Sequence, residues 1–194
     1  MEDLALETLK TMLGRRGLKT DTKRLTVDVD ELNVYEIGPT LVLFSQKHRG
    51  LMERDIVSLM DVRKKLDMPE RPMILVILMP PSENLLRVIK TKSTEKVQVF
   101  HIRQLLFDLT KHRLVSPHYI FNDKFKADRP DLAKEFDRLK IAKPEEQLPW
   151  LDSQDAMVKW IGAVPGDIVY VDRHSDTAGR ASYWRYVVED ANVA

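Results

Sequence analysis

The stretch Met73-Ile-Leu-Val-Ile-Leu-Met79 is an uninterrupted apolar run in a chain of 194 residues, and Pro80-Pro81 ends it. A short run without polar alternation is typical of a strand that is covered on both faces by other elements. A membrane-spanning helix needs about 20 apolar residues, so this run is too short to be one. It therefore predicts a buried strand in a sheet with helices packed on it.

Helical and strand-like patterns alternate on both sides of this run. We predict helices over residues 3–16, 54–67 and 82–90, strands over residues 40–44 and 96–100, and an amphipathic helix carrying Ile102, Leu105, Leu106 and Leu109. Strands that alternate with helices are typical of a layered α/β fold. The first part of the chain is therefore predicted to be an α/β domain, with a mixed sheet flanked by helices.

The remainder of the chain has a different pattern. It predicts an extended segment over residues 114–121, a helix that Pro130 opens and Pro144 ends, a helix with Ser153 as its N-cap, and strands over residues 168–171 and 181–188. The two strands are read as a β-hairpin with a long loop over residues 172–179. We predict a small α+β domain over residues 112–194, and place the first domain at residues 1–111.

The composition excludes several classes of protein. Apolar residues make up 43% and charged residues 31% of the chain, and there is no cysteine. The apolar share is enough for a packed core, and the missing thiols exclude disulfides and cysteine-based metal sites. A net charge of +1 argues against a strongly basic protein that binds nucleic acid on its own. The acidic start, Met1-Glu2-Asp3, predicts no secretory signal, and we expect a soluble intracellular protein without a membrane segment.

The sequence predicts no catalytic residue, no metal ligand and no cofactor. Neither a phosphate-binding loop nor a dinucleotide fingerprint can be written from the seven glycines. The run Asp172, His174, Ser175 and Asp176 holds the residue types of a hydrolase triad, but triads are assembled in space and not along one loop. We interpret this run as a polar hairpin loop, and His112 and His118 as hydrogen-bonded structural residues.

One short segment of the first domain is basic. Arg87, Lys90, Lys92, Lys96 and Arg103 surround a single acidic residue, Glu95. Cations and hydroxyls, as in Lys90-Thr91-Lys92-Ser93, can hold phosphate oxygens without reading bases. On composition alone, a solvated turn is the favoured interpretation.

Several motifs in one order identify the C-terminal part. They are His112-Arg-Leu-Val-Ser-Pro-His118, Gln147-Leu-Pro149, Asp155-Ala-Met-Val-Lys-Trp-Ile-Gly162, Gly166-Asp-Ile-Val-Tyr-Val171 and Arg173-His-Ser-Asp-Thr-Ala-Gly-Arg180, followed by Tyr183 and Arg185. This series resembles the fifth subunit of eukaryotic-type DNA-dependent RNA polymerases, which polymerases I, II and III share. The archaeal counterpart of that subunit has only this C-terminal part. Over residues 1–111 the order of elements resembles the N-terminal jaw domain of the family.

The resemblance implies a non-catalytic subunit of a multisubunit polymerase. The C-terminal domain would dock on the largest subunit, beside neighbouring small subunits, and no homo-oligomer is expected. The docking residues implied are Arg173, Ser175, Asp176, Thr177, Gly179, Arg180, Tyr183 and Arg185. The jaw would guide downstream duplex DNA without reading its sequence, with Lys90, Thr91, Lys92 and Ser93 closest to the DNA.

Alternation along the second hairpin strand sorts its aromatic residues into two faces. Trp184 and Tyr186 are expected on one face, and Tyr183 and Arg185 on the other. One face must belong to the core of the domain, and the other is free to anchor a partner.

The chain departs from the family pattern at several positions. Ser116-Pro117 shifts a proline by one place, Ala156 and Lys92 replace prolines, and Asp176 replaces glutamate. The spacer between His118 and Gln147 is also long. These departures suggest a divergent paralogue or a subunit encoded by a large DNA virus. The expected location is the nucleus, or the nucleolus for polymerase I, and the alternative is a cytoplasmic viral factory or a virion.

Two other functions stay open at this point. The jaw fold of the family resembles restriction-type nucleases, which need an Asp/Glu-x-Lys pair and a further carboxylate to hold a divalent metal. Asp21-Thr22-Lys23 is the clearest match, in a presumed loop without a suitable carboxylate upstream. The other alternative is a free adaptor that binds a transcription regulator.

Overall fold

The computed structural model describes residues 1–27, 29–68, 71–92, 97–175 and 179–189, without the side chains of Lys90, Lys92 and Ser175. The chain forms two compact units, Met1–Asp108 and Leu109–Ala194. The division follows Asp108, whereas the sequence predicts a boundary after Lys111.

The N-terminal unit is built on a five-stranded sheet. In chain order its elements are α1 (Glu2–Arg15), β1 (Thr22–Leu25), β2 (Leu32–Ile37), β3 (Thr40–Ser45), α2 (Glu53–Lys65), β4 (Met73–Ile77), α3 (Glu83–Lys92) and β5 (Val97–His101). Strands β1, β2 and β3 are antiparallel neighbours, and β3, β4 and β5 are parallel neighbours. The predicted mixed sheet with flanking helices is therefore confirmed.

Strand β4 lies inside the sheet, and all five of its residues are buried. Helices α2 and α3 cover one face, where Ile56 and Leu85 pack in one apolar cluster with Leu43 and Leu75. The start of α1 lines a cleft on the other face with Phe44 and Val76. Cover on both faces explains why β4 has no polar alternation.

Two strands of this unit were not predicted, and one predicted helix is wrong. The first of these strands, β1, is a polar and largely exposed edge strand, so it carries no apolar pattern; the other is its neighbour β2. The amphipathic helix expected over residues 102–109 is two short 3₁₀ helices, Ile102–Leu105 and Leu109–Lys111. The first 3₁₀ helix ends before Asp108, whose carboxylate accepts hydrogen bonds from Arg15 at 2.9 and 3.3 Å.

No helix among the described residues is long and apolar enough to cross a membrane.

The C-terminal unit holds a four-stranded sheet with helices on both faces. Its elements are β6 (His118–Ile120), α4 (Asp123–Asp128), α5 (Pro130–Arg138), α6 (Pro144–Gln147), β7 (Trp150–Asp152), α7 (Ala156–Ile161), β8 (Ile168–Ser175) and β9 (Gly179–Val188). The strand order is β6-β8-β9-β7. Strands β8 and β9 form the predicted hairpin, and the α+β class of this unit is confirmed.

The ends of the helices follow local chemistry. Asp155, and not Ser153, caps α7, because its side chain accepts hydrogen bonds from the backbone N–H groups of Met157 and Val158. Gly162 ends α7 in the left-handed region, at φ 78°, which favours glycine. Pro144 ends no helix: α5 stops at Arg138, and Pro144 opens α6.

Candidate functional site

The hairpin of β8 and β9 is longer than the sequence predicts. Residues 172–175 and 179, expected in the loop, continue the two strands, and Arg173 lies opposite Ala181. Only residues 176–178 separate the strands in the sequence, and they lie outside the described residues. The polar run that was interpreted as a loop is therefore mostly strand.

One face of the hairpin is the aromatic face, defined by Tyr170, Trp184 and Tyr186. Trp184 is 6% exposed and packs its ring 4.9 Å from that of Tyr170, 5.1 Å from Phe121 and 4.8 Å from Phe136, centroid to centroid. The phenylalanines come from the long spacer after His118, where α4 and α5 form. The spacer therefore supplies the cover for this face.

The opposite face is the valine face, defined by Val169, Val171 and Val187. These side chains form a second buried cluster with Val158 of α7. Toward the end of the hairpin this face is exposed to solvent, and Tyr183 there is 40% exposed. The predicted alternation is confirmed for Trp184, which is in the core, and for Tyr183, which is at the surface.

The exposed end of the hairpin carries two charged contacts. The guanidinium carbon of Arg173 lies 5.0 Å from the centroid of the Tyr183 ring. On the aromatic face, the Arg180 guanidinium and the Asp172 carboxylate form an ion pair at 3.2 Å, with the Arg180 side chain 79% exposed and that of Asp172 12% exposed. An exposed pair of this kind adds little stability to the folded unit.

The structure brings together part of the predicted docking set. Arg173, Gly179, Arg180 and Tyr183 are exposed at the end of the hairpin. Arg185 lies further back and donates to the backbone carbonyl of Trp150 at 3.1 Å. The side chain of Ser175 and the residues Asp176 and Thr177 lie outside the described part of the chain.

The hydrolase-like combination near the hairpin is not assembled as a triad among the described residues. Asp172 is engaged by Arg180. His174 is exposed on β8, where the register places it opposite Arg180. Asp172 does not orient His174 as a triad carboxylate would.

The two histidines considered as metal ligands have local partners. His118 Nδ1 lies 2.7 Å from the carbonyl oxygen of Ser116, and burial lowers the pKa of His118. His112 Nδ1 accepts a hydrogen bond from the Leu114 backbone N–H at 3.2 Å. The described residues contain no group of three or more acidic or histidine side chains placed to hold a metal ion.

The basic segment of the N-terminal unit is helical where a turn was expected. Lys90, Thr91 and Lys92 belong to the last turn of α3. The Thr91 hydroxyl donates to the Arg87 carbonyl at 2.9 Å, so it is satisfied inside the helix. Cations are favoured at a helix C-terminus, which is a structural reason for the two lysines. Ser93 lies outside the described residues.

The nuclease-like pair does not occupy the loop that was presumed. Lys23 lies in β1, an exposed edge strand, with Glu36 opposite it in the register. Glu36 is engaged by Arg71 in an ion pair. This arrangement offers no pair of free carboxylates for a divalent ion.

Sequence reasoning missed a buried acidic residue, Asp55. Its carboxylate accepts hydrogen bonds from Lys47 at 2.7 Å, Arg49 at 2.9 Å and the Met52 backbone N–H at 2.8 Å. The bonds from Arg49 and then Lys47 hold the pKa of Asp55 well below its ordinary value. This cluster ties the chain between β3 and α2 to the start of α2. No local sequence signal distinguishes Asp55 from the other acidic residues around it.

Comparison with known proteins covers the C-terminal unit. The family model described as RNA polymerase Rpb5, C-terminal domain, matches residues 107–187. DNA-directed RNA polymerase subunit Rpo5 of Thermococcus onnurineus is 38% identical over 84 residues, which are 93% of that protein and 43% of this chain. The chain belongs to the Rpb5/Rpo5 family of RNA polymerase subunits.

Other Rpo5 proteins match to a similar extent. The subunit of Staphylothermus marinus is 41% identical over 83 residues, 82% of its length and 43% of this chain. That of Methanosarcina mazei is 40% identical over 83 residues, 96% of its length and 43% of this chain. The resemblance inferred from the C-terminal motifs is therefore confirmed, and both strands of the hairpin fall almost entirely within the matched Rpb5 region.

Proposed function

We propose that this Rpb5/Rpo5-family protein is a non-catalytic subunit of a multisubunit DNA-dependent RNA polymerase. The C-terminal unit docks on the largest subunit, beside neighbouring small subunits, and the N-terminal unit guides downstream duplex DNA. The support is that Rpo5 subunits match this chain over 93% and 96% of their length, and that the Rpb5 family model matches residues 107–187. The polymerase determines the location: the nucleus, the nucleolus for polymerase I, or a viral factory or virion for a viral enzyme.

The exposed end of the hairpin is the proposed docking surface. Arginine and tyrosine are enriched among the residues that dominate protein interfaces, because they combine large contact areas with directed hydrogen bonds. The stacked pair of Arg173 and Tyr183 presents both residue types together. Trp184 cannot contribute contact area of that kind, because it is already buried in the aromatic face.

The proposed role of the N-terminal unit rests on charge. A subunit that holds moving DNA must contact phosphates and not base edges, because the enzyme passes over every sequence. Lys90 and Lys92 belong to the end of α3, and we assign these two cations to such a contact on the basis of their charge. Because the whole chain has a net charge of only +1, the isolated protein is expected to have no measurable DNA affinity.

Purification through an affinity tag tests the docking role. The wild-type chain is expected to recover the largest subunit of one RNA polymerase. The double variant Arg173→Ala with Tyr183→Ala is expected to recover it at least about tenfold less well, as for interface residues that carry much of the binding energy.

The matched control is Asp131→Ala with Lys134→Ala, two exposed residues of α5 outside the hairpin. It is expected to recover the largest subunit as well as the wild type does. Migration of the wild-type chain alone on gel filtration of cell extract would favour the free adaptor and contradict the proposal.

A further inference from the structure

Two prolines end the outer strands of the C-terminal sheet part-way along the hairpin. On the β6 side, the Asp172 backbone N–H donates to the Pro117 carbonyl at 3.0 Å. In an antiparallel ladder the opposite residue returns a hydrogen bond to the same partner, but proline has no N–H to donate. The β6 ladder therefore ends at this point, and β8 continues beyond it.

Pro149 has the same effect on the β7 side. The Tyr186 backbone N–H donates to the Pro149 carbonyl at 3.0 Å, and β7 then runs parallel to β9 from Trp150. The next rung of a parallel ladder would be a bond from the N–H of residue 149 to the Trp184 carbonyl. Proline cannot form that rung, so β9 has no described neighbour on this side over residues 180–184.

Along a strand, the backbone groups of successive residues point alternately to its two neighbours, and this alternation shows which groups face outward. Because Tyr186 bonds toward β7, the N–H and C=O groups of Trp184, Ser182 and Arg180 point to the same open side. On β8, the outward residue beyond Asp172 within the described strand is His174. The open edge of β9 is therefore the longer of the two, and an open edge is a template for another strand.

The charge beside this edge restricts the chemistry of a partner. Among the described residues of the free hairpin end, Arg173 and Arg180 are exposed, whereas the one acidic residue, Asp172, is largely buried and already paired. An acidic segment would find complementary guanidinium groups here, and a basic one would be repelled. Arginine can also bind carboxylates in a bidentate manner.

We propose that the β9 edge over residues 180–184 accepts an extended, acidic segment of a partner polypeptide as an added strand. The added strand begins beyond Pro149, whose ring lies beside the Trp184 carbonyl, and it pairs with Ser182 at the centre of the open edge. Its carboxylates bind Arg180 or Arg173. This inference rests on the proposed docking function and specifies its mode, which is main-chain strand addition.

Two proline substitutions on opposite edges test the mode. Ser182→Pro removes an outward N–H at the centre of the β9 edge, and the extended backbone there is compatible with proline. It is expected to lower incorporation of the full chain into the purified polymerase at least about tenfold, because the added strand loses a donor and meets the proline ring. His174→Pro makes the same change on the β8 edge and is expected to leave incorporation within about twofold of the wild type.

The results separate the inference from the proposed function. Normal incorporation of both variants means that the chain docks without this edge, which overturns the inference and leaves the proposed function intact. A loss caused by His174→Pro alone also overturns it, because the partner then uses the other edge. Failure of the wild-type chain to enter a polymerase overturns both.

Hydrogen exchange gives a second test that does not depend on the folding of a variant. In the assembled polymerase, the amide protons of Arg180, Ser182 and Trp184 are expected to exchange at least about tenfold more slowly than in the free chain, because each gains a partner or is covered by the added strand. Equal exchange in the free and assembled states would refute strand addition.

Charge reversal tests the acidic character of the segment. Arg180→Glu is expected to lower incorporation at about 50 mM salt, with a smaller effect at about 500 mM, because screening weakens exposed ion pairs. Incorporation equal to the wild type at the lower salt would refute the acidic partner.

Discussion

Substitutions of two neighbouring aromatic residues on β9, Tyr183 and Trp184, are expected to affect different properties of the C-terminal unit: its docking and its stability. Trp184 is 6% exposed and contacts three aromatic rings, whereas Tyr183 is 40% exposed and stacks with Arg173. The Trp184→Ala variant of the full-length chain therefore loses core packing, whereas the Tyr183→Ala variant loses a surface contact at the neighbouring position.

The expected magnitudes differ several-fold. Replacing a buried tryptophan by alanine costs about 3–5 kcal/mol, because both apolar burial and the filled volume are lost. A unit of this size has a stability of about 4–12 kcal/mol, so Trp184→Ala removes a large share of it. Tyr183→Ala loses a surface contact and its cation–π pair, and is expected to cost less than about 1 kcal/mol.

Chemical and thermal unfolding of the two variants measure this difference. Trp184→Ala is expected to lower the melting temperature of the C-terminal unit by about 12 °C or more. Trp184→Phe is expected to cost less than about 2 kcal/mol, because packing is largely kept and the buried indole N–H has no hydrogen-bond partner to lose. Equal destabilisation by Tyr183→Ala and Trp184→Ala would refute the assignment of the two faces.

Two further predictions concern the N-terminal unit. Asp55→Asn is expected to cost about 1–3 kcal/mol at pH 7, since hydrogen bonds to a charged carboxylate are lost. Because folding lowers the pKa of Asp55, its contribution is complete above the unfolded value of about 3.9 and is lost as the pH falls below it. The difference in unfolding free energy between the variant and the wild type should thus shrink as the pH falls below about 3.9, and a difference that stays constant would contradict the role of this carboxylate. Lys90→Ala with Lys92→Ala is expected to weaken retention of downstream duplex DNA by the assembled polymerase, more at low salt than at high salt. Release of the duplex measures this effect. The control, Lys124→Ala with Lys134→Ala, changes two exposed lysines of the other unit and is expected to have no effect. Equal duplex retention by the Lys90/Lys92 variant and the wild type at low salt would contradict the DNA-guiding role.

The local sequence pattern was sufficient to predict an element when the burial of its side chains follows one rule along its whole length. The apolar run from Met73 predicted β4, because cover on both faces leaves no polar position. Alternation assigned Trp184 and Tyr183 to opposite faces, because side chains along a strand alternate strictly. Both predictions depend on neighbours in the sequence and on nothing further away.

Prediction failed where distant residues decide the conformation. The expected helix after Ile102 is interrupted near Asp108, which is bound by Arg15 of α1. Strand β1 is polar and is recognisable only through its pairing with β2.

The open edge of the hairpin could not be predicted for the same reason. Pro117 and Pro149 are visible in the sequence, but their effect depends on which rungs they would have formed with Asp172 and Trp184. That information lies in the register between distant strands and not in the local pattern.

The most direct test is a structure of the RNA polymerase purified through this chain. We expect residues 168–188 to lie against the largest polypeptide, with the exposed end of the hairpin in the interface and Trp184 in the core of the C-terminal unit. A structure in which the hairpin contacts no such polypeptide, or in which the chain is absent from the enzyme, would contradict the proposed function.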